Sequence, residues 1–201
     1  MRAVFLDRDG VINHNRPDHV KNLAEFQFLP GALTALRLLT SAGFRIFVIT
    51  NQAAVGRGLM TVEALEEIHA HLRAIARYHG ATIDDIRYCP HTPEERCGCR
   101  KPQPGMIQEL AARHQIDCRA TFLIGDALTD IAAGQRMGCQ TILVKSGRGS
   151  AELQKPELRR YQPTHIADDL LAATRWLLQE ELRPVSVTTQ PLTGVLTTVP
   201  Q

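Results

Sequence analysis

Short unbroken apolar runs alternate along this chain with longer stretches in which apolar residues return every three or four positions. In order, the runs are Val4-Phe5-Leu6, Arg45-Ile-Phe-Val-Ile-Thr50, Ile86-Arg-Tyr-Cys89, Thr121-Phe-Leu-Ile-Gly125 and Gln140-Thr-Ile-Leu-Val144. Runs this short and this continuous suit strands covered on both faces. Between them, Leu33, Leu36 and Leu39 recur at helical spacing before Gly43. Val62, Leu65, Ile68, Leu72 and Ile75 do so behind a Thr61 N-cap, and Met106, Ile107, Leu110 and Ala111 follow Pro104. A further helix follows Asp126 and closes at Gly138, and a last one spans roughly Asp168 to Leu182, with Leu170, Leu171, Leu177 and Leu178 on its apolar side. Strand–helix alternation of this kind predicts an α/β domain with a mostly parallel sheet between helical layers. Residues 11–30 and Asn51–Met60 read as loops. From residue 183 to 201 the periodicity stops, so residues 1–182 form the expected domain and 183–201 a flexible tail.

Composition narrows the picture. With 201 residues, 44% hydrophobic and 22% charged, the chain suits one globular domain. A net charge of +2 leaves no electrostatic footprint for nucleic acid, and no apolar run approaches a membrane span. No export signal is expected ahead of the first strand, so a monomer in the cytoplasm is the expected state.

The candidate chemistry sits where the strands end. Asp7 and Asp9 follow the first run and precede Gly10, Thr50 and Asn51 close the second, Cys89 the third, and Asp126 with Asp130 follows the fourth. In a parallel sheet these ends share one rim, where such folds place their ligands. Clustered carboxylates are costly unless a cation relieves them, and Mg²⁺ is the simplest relief; solvated turn aspartates are the plain alternative. Acids, a metal, a hydroxyl donor and a lysine together suit phosphoryl transfer. Separately, Cys89-Pro-His91 and Cys97-Gly-Cys99 supply three thiols and an imidazole, a frame suited to closed structural Zn²⁺ in a loop over 89–99. Cys118 and Cys139 read as small core residues.

Asp7-Arg-Asp9-Gly-Val11, Thr50-Asn51, Lys101 and Gly125-Asp126…Asp130 together resemble the four ordered motifs of the haloacid dehalogenase (HAD) superfamily of phosphohydrolases. The resemblance implies a Rossmann-like three-layer fold, and the Asp9–Thr50 and Thr50–Lys101 intervals leave no room for a large cap domain. It also implies Asp7 as nucleophile, Asp9 as general acid and base, and Thr50 and Asn51 as phosphoryl donors, with Lys101 neutralising charge. Asp7, Asp9 and Asp126 would hold Mg²⁺, while Asp130 serves either the metal or its helix dipole. The zinc loop is similar to that of a capless branch acting on heptose bisphosphate or histidinol phosphate. The stretches Asn51-Gln52-Ala-Ala-Val-Gly-Arg57-Gly and Lys145-Ser-Gly-Arg-Gly149 lean toward the sugar bisphosphate, with Gln52, Arg57, Arg100 and Lys145 as substrate contacts. The pattern departs at Ala54, where glycine is expected, and at Ala127, where a lysine is common. A receiver-type phospho-acceptor domain is the alternative of another class, but its accepting aspartate would stand where this chain has Cys89.

Overall fold

The computed structural model describes residues 2–181; the tail expected over 183–201 lies outside the described residues. Six strands form one all-parallel sheet: β1 (Ala3–Leu6), β2 (Arg45–Asn51), β3 (Asp85–Cys89), β4 (Thr121–Gly125), β5 (Gln140–Val144) and β6 (His165–Ala167), in the order β3-β2-β1-β4-β5-β6. The helices are α1 (Ala32–Ser41), α2 (Ala53–Gly56), α3 (Val62–Tyr78), α4 (Gly105–His114), α5 (Leu128–Arg136), α6 (Gly149–Glu152) and α7 (Leu170–Glu181). No helix among the described residues is long and apolar enough to cross a membrane.

Strand periodicity explains the layering. Along β1, Val4 and Leu6 join a core with α1, α3 and α7, whereas Ala3 and Phe5 join a second core with Met106, Ile107 and Leu110 of α4 and Ala133 of α5. Both faces of the sheet are thus covered, which is why its strands read as unbroken apolar runs. The caps fall as the sequence suggests: Thr61 Oγ1 accepts the Ala64 amide at the start of α3. Three short elements were not expected. α2 is a single turn inside the expected loop 51–60, α6 is also one turn, and β6 has three residues, too few to show a period. The polar segment after β1 is pinned by buried Val11, Ile12, Val20 and Phe26 and by Leu29 N donating to Ile12 O at 2.9 Å.

The order places β1 centrally, flanked by β2 and β4. Residues following these three strands therefore meet at adjacent positions of one rim.

Candidate active site

Asp7 follows β1 and is buried beside Lys101, Asp126 and Asp130, which are buried as well. Asp7 Oδ1 accepts from the Arg8 amide at 2.7 Å and pairs with Lys101 Nζ at 2.8 Å. Lys101 Nζ also lies 2.6 Å from Asp130 Oδ1 and donates to Ile49 O at 2.8 Å. A desolvated ammonium surrounded by acceptors stays charged: burial opposes this, but Asp130 and Asp7 together hold its pKa above the usual lysine value. Lys101 arrives by a side-chain clasp. Asn51 Oδ1 accepts the Lys101 amide at 3.0 Å and Asn51 Nδ2 donates to Lys101 O at 3.1 Å.

Asp126 is packed under a roof. Its Oδ2 accepts the Arg148 amide at 2.8 Å, and Ser146 Oγ donates to Gly10 O at 2.7 Å, closing the loop after β5 over the turn after β1. Both Gly10 (φ +88°) and Gly147 (φ +59°) sit in the left-handed region, and a Cβ on either would stand 2.1–2.2 Å from Asp126 Oδ2. Asp126 Oδ1 is buried without a hydrogen bond, and the Arg148 guanidinium stands 3.6 Å off. Asp7, Asp126 and Asp130 each offer an oxygen within 4.8 Å of the others. An unpartnered buried oxygen amid an all-oxygen donor set fits a hard divalent cation. Burial, with Asp130 and Asp126 adding to it and Lys101 opposing, pushes Asp7 up to about 7; burial and Asp130 push Asp126 up to about 6. Asp130 has a second task, its Oδ2 accepting the Ala127 amide at 3.0 Å at the start of α5.

Raised carboxylate pKa values make a linkage prediction. Without metal, Asp7 titrates near 7 in the fold against 3.8 ordinarily, so its contribution to stability is complete below about pH 4 and is lost as pH rises to about 7. A cation that takes the ionised form offsets that loss. The melting temperature gained on adding Mg²⁺ to magnesium-free buffer should therefore grow from about pH 5 to about pH 8. A gain independent of pH would place the ion away from Asp7.

Asp9 is held differently. Arg8 NH2 donates to its two oxygens at 3.0 and 2.9 Å, Asn13 Nδ2 to Oδ1 at 2.8 Å and Gln52 Nε2 to Oδ2 at 2.7 Å. Burial works against the charge, but Arg8 and these donors hold the carboxyl below the usual aspartate range. Gln52 Nε2 also donates to Thr50 Oγ1 at 2.8 Å, tying the second strand's hydroxyl to the same group.

Cys89, His91, Cys97 and Cys99 gather at the end of β3. Their sulfurs are 3.3–3.5 Å apart, and His91 Nδ1 is 3.5 Å from Cys89 Sγ and 3.3 Å from Cys99 Sγ. A tetrahedron with Zn–S bonds of ~2.3 Å has edges of about 3.8 Å, so a few tenths of an ångström of expansion fits the ion. Arg100 leaves this loop with NH1 donating to His91 O at 3.2 Å.

A cavity of about 520 Å³ opens over the rim. Asp7, Asp9, Thr50, Asn51, Gln52, Lys101 and Asp130 line it, as do Arg16, His19, Arg100 and Arg148. Two expected substrate contacts are not among the lining residues. Lys145 is exposed and pairs with Asp168 at 2.7 Å, because its backbone is paired to Ala167 and the turn at Gly147 brings Arg148 to the cavity instead. Arg57 NH1 lies 3.4 Å from His19 Nε2, so it stands behind a lining residue. Arg148 was missed because only the direction of that turn distinguishes the two cations. Arg8 was missed because an arginine between two aspartates reads as solvated, whereas it is fully buried.

This rim of carboxylates, hydroxyl and lysine on a parallel sheet is matched among known proteins. Residues 98–173 match a family profile described as HAD-hydrolase-like. The chain belongs to the HAD-like phosphatases, a class of phosphomonoester hydrolases. The D-glycero-beta-D-manno-heptose-1,7-bisphosphate 7-phosphatase of Pseudomonas putida is 41% identical over 89% of this chain and 100% of its own length. That of Neisseria meningitidis serogroup A is 38% identical over 92% and 98%. The crystal structure of D,D-heptose 1,7-bisphosphate phosphatase from B. bronchiseptica, complexed with magnesium and phosphate, superposes with a TM-score of 0.83 at 37% identity, covering 90% of this chain and 99% of that one.

Proposed function

We propose that this protein removes one phosphate from a heptose bisphosphate through a covalent phosphoryl group on Asp7. The observation that carries the reading is the Asp7 carboxylate: one oxygen is fixed by Lys101 and the Arg8 amide, and the side chain lines a cavity beside an acid–base candidate. Fixing Oδ1 leaves the other oxygen to attack phosphorus. Asp9, ionised in the free site, takes up a proton when the charged phosphate enters beside it. As the ester P–O bond breaks it passes that proton to the leaving alkoxide, and it then takes one from the water that attacks phosphorus and frees Asp7. Thr50 Oγ1 already accepts the Gln52 amide, so its own proton is available to a phosphoryl oxygen, and the Asn51 amide is the second donor. Lys101 neutralises charge shared between Asp7 and the phosphoryl group. Asp7, Asp126 and the Asp9 carbonyl, with Asp130 behind them, would hold Mg²⁺, which supplies further neutralisation of the phosphoryl oxygens.

The Cys₃His cluster would hold a structural Zn²⁺, and reduced thiols of this kind fit the cytoplasm. Arg100 and Arg148 line the cavity, and in this reading they hold the non-reacting phosphate, a task for which guanidinium forks are suited.

Side-by-side kinetics with Mg²⁺ test this. The heptose bisphosphate should exceed histidinol phosphate in kcat/KM by roughly 100-fold, since two phosphates engage two charge-assisted contacts. In Arg148→Ala, KM for the bisphosphate should rise about 10-fold and KM for a sugar monophosphate much less. Faster turnover of histidinol phosphate would overturn the substrate assignment.

A further inference from the structure

Arg8 is among the largest fully buried side chains of the protein, and the catalytic reading above gives its guanidinium no role. Its guanidinium meets two groups. NH2 reaches both oxygens of Asp9, and NH1 stands 3.3 Å from Nε2 of His69. Arg8 Nε is buried with no hydrogen-bond partner. His69 is the one polar residue on the buried stripe of α3, otherwise formed by Leu65, Ile68, Leu72 and Ala76, and it does not line the cavity. Burial, then the Arg8 charge, pushes its pKa down to about 3. The imidazole is therefore neutral, with Nε2 accepting from Arg8 and its proton on Nδ1.

We infer that His69 is a positioning residue for proton transfer: through Arg8, it sets where the Asp9 carboxyl stands. The inference rests on the reading of Asp9 as acid and base. A cation in an apolar interior is placed by its counter-groups, since leaving either side unpaired is costly. Two acceptors at different edges of a planar fork fix both its position and its rotation. Without His69, NH1 loses its acceptor, the guanidinium can turn about its own axis, and the two-point grip on Asp9 loosens. Asn13 and Gln52 still hold the carboxylate in the site, but no longer aimed. Proton transfer is sensitive to such an error because donor and acceptor must come within hydrogen-bond distance.

The leaving group supplies the test. An alkoxide leaving from a sugar phosphate needs the Asp9 proton as the P–O bond breaks, whereas nitrophenolate leaves as a stable anion without it. The parameter kcat/KM reports the steps up to that departure. In Asp9→Asn the value for the sugar phosphate should fall roughly 100-fold or more relative to that for p-nitrophenyl phosphate. In His69→Leu the same ratio should fall about 10-fold, and His69→Gln, which keeps an acceptor, should restore most of it. If Asp9→Asn leaves the ratio unchanged, the acid–base reading itself fails. Should Asp9→Asn lower the ratio while His69→Leu slows both substrates equally or neither, His69 is a packing residue and the inference is overturned.

Discussion

Replacing Asp7 with asparagine is expected to lower turnover by roughly 10⁴-fold or more while leaving the melting temperature in magnesium-free buffer unchanged or higher. The amide has nearly the shape of the carboxylate but cannot attack phosphorus. Its effect on the fold is favourable or neutral because the native charge is a burden there: burial and two neighbouring carboxylates keep Asp7 protonated up to about 7. Lys101 is not abandoned, since Asp130 Oδ1 at 2.6 Å and Ile49 O at 2.8 Å remain. Phosphate release and thermal melting check this together. Activity within 10-fold of the native protein would remove Asp7 as nucleophile, and a large fall in melting temperature would make it a structural residue.

The second large effect concerns stability. Cys97→Ser should cut bound zinc from about one per chain to a small fraction and lower the melting temperature by roughly 8–16 °C. A metal held at ~1,000 times its dissociation constant contributes about 4 kcal/mol, and each kcal/mol moves a domain of this size by about 2–4 °C. The temperature gained from Mg²⁺ should survive, because Asp7 follows β1, Asp126 follows β4 and Asp130 lies in the first turn of α5, all of them outside the Cys/His loop over 89–99. Metal analysis and melting with and without Mg²⁺ measure both. A stable, zinc-free native protein would reduce the four residues to an incidental cluster.

Much of this was legible in the sequence because doubly covered strands leave unbroken apolar runs. Val4-Phe5-Leu6 and Thr121–Gly125 mark β1 and β4, and the residues that follow them fall on one rim whatever the loops do. The clustering of Cys89, His91, Cys97 and Cys99 within eleven positions was similarly plain. Other features depend on direction rather than pattern. Lys145 and Arg148 are equally cationic, and only the left-handed Gly147 brings the second to the cavity. Nothing local tells that Arg8 turns inward, because the imidazole that receives it is sixty-one positions away on another element. β6 escapes notice because three residues carry no period.

The grip of Asn51 on the backbone of residue 101 has a mechanical consequence. With one side chain imitating another rung of hydrogen bonding, β2 in effect extends to a segment fifty residues later in the chain. The height of the ammonium above the sheet is then gauged from the strand, not from the long polar excursion that precedes it. That excursion can breathe without moving the charge beside Asp7, whereas Arg100, anchored on the carbonyl of His91, must ride with it. Loosening the Cys/His loop should therefore blur which molecule is chosen well before it impairs the bond-breaking itself.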